Sequence, residues 1–228
     1  MCYYAVITCR SLAWFLLTIV ADLFILTAME SPKWLVGPQS YIIDDSMAEN
    51  TTIQRYPSVG INTRCILMKN VNAVNFNCGP FDLDGFATEN NVYPLPWKFA
   101  RFFIVLGFII MTLTLILTLA TFCRQSIFGK SIHTITGSAQ AFAAICVLIA
   151  LFLHPFAWGH DRVKRLCGSE SSAYWPSDCS LGWSLYCAII SVIFGFVCAS
   201  MSIKAESANM NINVKRRIEA GERLLCVM

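Results

Sequence analysis

Eleven cysteines, three histidines and one aspartate inside an apolar run are the residues of this 228-residue chain that invite chemistry. Cys65 pairs by position with Cys78, and Cys167 with Cys179, while Cys187 follows Cys179 across a Leu-Gly-Trp corner. Zinc favours close-set ligands such as C-x2-C or H-x3-H. Eleven residues separate Cys167 from Cys179, so no metal site is expected there even with His154 and His160 nearby. A dithiol catalyst needs a C-x-x-C pair whose sulfurs can exchange, and the chain contains none. Structural bridges remain, on condition that the cysteines meet an oxidising compartment. Each cysteine's chemistry therefore depends on its solvent.

Composition names that solvent. Hydrophobic residues make up 56% and charged residues 14% of the chain, and mean hydropathy is +0.58, which places it in the membrane class. A net charge of +3 without a basic face excludes a nucleic-acid binder. A bilayer core takes about 20 apolar residues as a helix, and four stretches qualify, at 12–29, 102–122, 135–156 and 181–203. The first is longer than the about 7–15 residues of a signal-peptide core and lacks a small-residue cleavage site, so it reads as a mature span. The chain is thus one tetraspan domain over 1–228, with loops at 30–98, 123–134 and 157–180 and a tail at 204–228.

Four spans put both termini on one side. With that side cytosolic, it holds 8 basic residues, against 9 in the two outer loops, so the positive-inside rule votes weakly. Two features break the tie. The sequon Asn50-Thr51-Thr52, a glycosylation acceptor, lies in the first outer loop, and the paired cysteines Cys65/Cys78 and Cys167/Cys179 lie in the two outer loops. Both termini are taken as cytosolic.

The 30–98 loop is too long for a structureless connection. Residues 60–68 and 71–76 read as two strands, with Asn70 and Asn72 supplying the turn. A Cys65–Cys78 bridge would pin that hairpin by roughly 3 kcal/mol of loop-closure entropy; two free thiols are the alternative. Cys167–Cys179 is the natural second bridge. Pro94, Pro96 and Trp97 turn the chain back to the bilayer, with the Trp97 ring expected at interface depth. Gly182 permits close backbone approach, Trp183 anchors the fourth span at the interface, and Cys187 lies roughly 12 Å further along a helix, in apolar surroundings.

Within the spans, Ser184, Ala188, Ser191, Gly195 and Ala199 form a small-residue stripe, and Gly137, Ala141 and Ala144 another, as close helix packing in lipid requires. Thr114, Thr118 and Thr121 line one side of the second span. Asp22 in the first span costs roughly 2.5–3.5 kcal/mol if central and charged. Trp14 and Thr18 share its face, so a hydrogen-bonded structural role is expected over ion transport. His154 reads as an interfacial packing residue. The tail carries Lys215-Arg216-Arg217, worth about 1 kcal/mol per charge against anionic lipid. Cys226 stands third from the end, which rules out a prenylation box and leaves it a candidate for palmitoylation.

These residues resemble a known family. Trp34-Leu35, Gly60-Ile61 followed by Cys65, and Cys78 are similar to the claudin superfamily signature W…GLWxxC…C, with Asn62 where claudins carry Trp. A second-loop bridge is also untypical of claudins. The N-terminal Val6-Ile7-Thr8-Cys9-Arg10-Ser11, Tyr56-Pro57-Ser58-Val59-Gly60, Cys78-Gly79-Pro80, Pro155-Phe156-Ala157-Trp158-Gly159 and Asp178-Cys179-Ser180-Leu181-Gly182-Trp183 resemble the lipoma HMGIC fusion partner-like (LHFPL) tetraspan family across nearly the whole chain. His154 stands where Tyr would be expected. The resemblance implies an all-α, claudin-like four-helix bundle carrying a small extracellular antiparallel sheet; Trp34, Trp158, Gly182 and Trp183 from its motifs, and Asp22 from its place in the first span, are expected as structural or interface residues. It also implies a non-enzymatic accessory protein without cofactor or metal, whose partners are the bilayer and other membrane proteins such as channel or receptor subunits. A homo-oligomer is allowed. The alternatives are a claudin-like junction protein, a membrane thiol oxidoreductase and, on Asp22 alone, a small transporter.

Overall fold

The computed structural model describes residues 5–44, 51–70, 73–81, 93–122, 126–127, 130–209 and 224–227, some of them by backbone alone. Four helices are long and apolar enough to cross a membrane: α1 (Cys9–Glu30), α2 (Leu95–Thr121), α3 (Ile132–Phe156) and, after the short α4 (Asp161–Cys167), α5 (Trp183–Asn209). The 22 residues of α1 rise about 33 Å at 1.5 Å each, enough for a hydrocarbon core of about 30 Å. The exposed side chains fit lipid rather than water, with Leu16, Leu113, Ile116, Phe152 and Ile193 all turned outward.

Helix ends differ from the apolar runs. Helix α2 starts seven residues before 102 because Pro96 sits in its first turn, where a missing N–H costs nothing. There Trp97 and Lys98 donate their amides to the Pro94 carbonyl at 3.0 and 3.3 Å. Helix α5 continues past 203 through Lys204 and Glu206, polar residues with good helix propensity; the Thr134 hydroxyl donates to Glu206 at 3.1 Å.

The long loop folds as expected into antiparallel strands, with more of them than the sequence suggested. Strands β2 (Leu35–Val36), β5 (Ser58–Val59), β6 (Thr63–Asn70), β7 (Ala73–Pro80) and β10 (Ser180–Leu181) form one sheet in the order β10-β2-β5-β6-β7. Its main hairpin runs from the Thr63–Pro80 pair to the Asn70–Ala73 pair, so its second strand starts at Ala73 rather than at residue 71. β6 begins at Thr63 rather than at residue 60. The Gly60 amide instead donates to the Thr63 carbonyl at 2.9 Å, closing a turn, and a Cβ on Gly60 would collide with the Ser31 carbonyl oxygen. Strand β10 is a contribution of the second loop that sequence reasoning missed. Further two-stranded ribbons join β3 (Ser40–Asp44) to β4 (Thr51–Arg55), β8 (Ser126–Ile127) to β9 (Lys130–Ser131), and β1 (Ala5–Thr8) to β11 (Leu224–Val227).

The chain divides into two compact units. A helical unit holds residues 1–25, 105–148 and 189–228, and a sheet-bearing unit holds residues 26–104 and 149–188. Each long helix contributes a segment to both. Four long apolar helices with a small antiparallel sheet make this the tetraspan bundle that the sequence led us to expect.

Candidate functional site

In the sheet-bearing unit the aromatic residues converge on one histidine. Trp97 and His154 stack with ring centroids 5.2 Å apart and planes within 8°, and Trp34 tilts against the same imidazole at 4.7 Å. The Trp158 indole N–H donates to His154 Nδ1 at 3.3 Å, which places the imidazole proton on Nε2. That buried nitrogen has no hydrogen-bond partner among the described residues. Trp97 donates to the His154 carbonyl at 3.0 Å, and Trp34 to the Ala28 carbonyl at 2.7 Å. All four side chains are buried: Trp34 and His154 are 0% exposed, Trp97 1% and Trp158 3%. The sequence led us to expect the Trp97 ring at interface depth and His154 as a packing residue; in the structure both are packed inside the protein, with His154 at the centre of the cluster. Each of the three indoles has an acceptor for its N–H, as buried tryptophans usually do.

Around this cluster the loops are tied down. Cys65 and Cys78 face each other in the β6–β7 ladder and form one disulfide, and Cys167 and Cys179 form the other. Helix α4 starts with His160 as N-cap, its Nδ1 accepting the Arg162 amide at 3.3 Å, and delivers Cys167 to its bridge. The Gly182 amide donates to the Trp34 carbonyl at 2.9 Å. A Cβ on Gly182 would collide with the Lys33 carbonyl oxygen, so this corner requires glycine. One residue on, Trp183 is 48% exposed at the start of α5. Tyr93 donates its hydroxyl to the Ile61 carbonyl at 2.7 Å; burial pushes its pKa well up, against the lowering effect of Arg101 and Arg162.

The helical unit carries its own polar network. Trp14 donates to Gln140 Oε1 at 3.0 Å, Gln140 Nε2 donates to the Thr18 hydroxyl at 3.0 Å, and Thr18 donates back to the Trp14 carbonyl at 2.9 Å. His133 stacks on the Trp14 ring at 5.3 Å. Asp22 bonds elsewhere, its carboxylate lying 3.1 and 3.4 Å from the Thr112 hydroxyl. Each four-residue step turns a helix 40° past a full revolution, so two steps from Trp14 carry Asp22 roughly 80° off that face. Gln140 was missed in the sequence, and its signal was plain: an amide inside an otherwise apolar span. Small residues let the helices approach here. A Cβ on Gly195 would lie 2.8 Å from that of Ala144, and one on Gly137 would collide with the Ser202 hydroxyl.

Among the described residues no three His, Cys, Asp or Glu side chains converge as metal ligands would. Cys146 and Cys198 are buried free thiols, and Cys187 is half-buried and also free. Asn50 lies outside the described residues. Cys226 is described by backbone alone, paired with Ile7 in the β1–β11 ribbon.

A sequence profile described as Lipoma HMGIC fusion partner-like protein matches residues 10–205. The chain belongs to that family. Relatives include the human LHFPL tetraspan subfamily member 2 protein, 33% identical over 235 residues, and the zebrafish (Danio rerio) member 2a protein, 33% over 231 residues. Both alignments cover all of this chain and all of the relative. Human member 3 is 31% identical over 98 residues, 42% of this chain and 40% of its own. The LHFPL match thus spans both units, including the tryptophans, the bridged cysteines and the Gly182 corner. It makes the chain a multi-pass membrane protein.

Proposed function

We propose that this LHFPL-family protein is a non-enzymatic accessory tetraspan that binds, scaffolds or traffics another membrane protein, such as a channel or receptor subunit. What supports the reading is the use to which the chemistry-bearing residues are put. The loop cysteines are joined in bridges, His154 is enclosed by three indoles, and Asp22 is tied to Thr112. Among the described residues the long helices turn apolar side chains such as Leu113, Phe152 and Ile193 outward, a surface suited to contact with lipid or with another membrane helix. Co-purification from native membranes in mild detergent tests it. A second integral membrane protein should be recovered in fixed ratio, and recovery of this chain alone would count against the reading.

The same proposal places the sheet outside the plasma membrane and both termini in the cytosol. Asn50 then meets the glycosylation machinery. The wild-type protein should lose mass on treatment with an N-glycosidase, and Asn50→Gln should not. A glycosidase-insensitive wild type would argue for the opposite orientation.

A further inference from the structure

In the sheet-bearing unit, the loop after α4 folds back onto the end of α3. The Ser172 amide donates to the Trp175 carbonyl at 3.0 Å, and the Trp175 amide to the Ser172 carbonyl at 2.9 Å. This tight turn holds Tyr174 at φ 63°. A bulky L-residue rarely adopts that left-handed conformation and keeps it only where its surroundings hold it. Three contacts on α3 do so. The Tyr174 amide donates to the Pro155 carbonyl at 3.0 Å, its hydroxyl donates to the Phe152 carbonyl at 3.0 Å, and its ring meets that of Phe156 edge-on with centroids 6.4 Å apart.

The hydroxyl bond sets the depth of the turn. Centred on the 25 residues of α3, a hydrocarbon core of about 20 helical residues leaves about two or three beyond each end. Phe152 then lies inside the core and Phe156 just past its edge. Both side chains are more than half exposed, as is Tyr174, and Trp175, at 64%, is the most exposed of the six tryptophans. Phe152 belongs to a membrane span, so lipid covers its outward ring. Tyr174, bonded to the Phe152 carbonyl and set against Phe156, continues that lipid-covered face past the helix end. Tyrosine and tryptophan gather at this height in membrane proteins, because each joins an apolar ring to a polar tip.

We propose that the 172–176 turn is an interfacial anchor, with Tyr174 reaching along α3 and Trp175 inserted at the headgroup level of the leaflet on the sheet's side. The turn lies within the Cys167–Cys179 bridge, and β10 follows at once as Ser180–Leu181, so anchoring it holds an edge strand of the sheet close to the bilayer. The inference is independent of the accessory reading and of which side the termini occupy. It bears on the junction alternative, since a Trp175 seated in its own membrane is withdrawn from a facing cell.

The test uses the full-length protein in phosphatidylcholine nanodiscs, with both bridges formed. The emission of Trp175 is the difference between wild type and W175F. Lipid brominated near the headgroup end of its chains should remove more than half of that difference, and iodide in the buffer should remove little. Y174N keeps a residue type that tolerates the left-handed backbone while deleting the ring and hydroxyl that reach α3. It should leave Trp175 less sensitive to bromine and more sensitive to iodide. If W175F fails to form its bridges, wild type and Y174N, which share all six tryptophans, are compared directly. A Trp175 quenched by iodide but not by brominated lipid lies in water, and one quenched by neither is covered by protein. Either result would overturn the inference, as would quenching that Y174N leaves unchanged.

Discussion

Six tryptophans serve opposite purposes in this chain, and the difference lies in where each indole N–H finds its acceptor. Trp34, Trp97 and Trp158 are buried and donate to Ala28, His154 and His154 respectively, whereas Trp183 is about half exposed. Truncating a buried aromatic costs about 3–5 kcal/mol through lost contacts and the cavity left behind. Exposed substitutions away from such features stay within about 0.5 kcal/mol. Trp97→Ala should therefore lower the thermal midpoint of the detergent-solubilised protein sharply, and Trp183→Ala should leave it nearly unchanged. Fluorescence-detected gel filtration after a heating series reads both, and equal losses would mean that the buried cluster is not what holds the loops. Sequence reasoning expected the Trp97 ring at interface depth because tryptophans near span ends are enriched there. It had no way to see that His154, fifty-seven positions later, would come alongside.

At the scale of elements, lipid removes the hydrophobic drive between helices and leaves packing and hydrogen bonds to hold them. The small-residue stripes were legible for that reason, since Gly195, Gly137 and Ala144 stand at helical spacing in otherwise bulky runs. Gly195→Leu forces extra methylenes against Ala144, 2.8 Å from the first added carbon, and overpacking of this kind costs about 1–3 kcal/mol. Phe196→Leu, one residue on at an exposed position, is the control. The expected result is a lowered midpoint for the first and little change for the second, measured in the same heating series. The hairpin was legible too, because residues 60–68 and 71–76 carry β-formers, with asparagines at 70 and 72 marking the turn between them. The short strands β2, β5 and β10 were not. Two residues give no periodicity, and their pairing is set by the turn at Gly60 and the corner at Gly182, both of which are tertiary contacts. The Gln140 network was not legible because its partners Trp14 and Thr18 lie more than 120 positions away in the chain, although a buried amide needs partners as any buried polar group does.

For the whole molecule, the four spans and the family were readable from apolar run length and from motifs spread along the chain. What a motif does not carry is the identity of a partner, because partner choice is written in surface shape and charge rather than in the residues that make the fold. The proposed function is service to another membrane protein. Its most direct test is the cell-surface proteome of cells that normally express it, compared before and after removal of the protein and again after its re-expression. The surface level of at least one channel or receptor subunit should fall on removal and recover with the wild-type chain. A surface proteome in which no integral membrane protein changes reproducibly would contradict it.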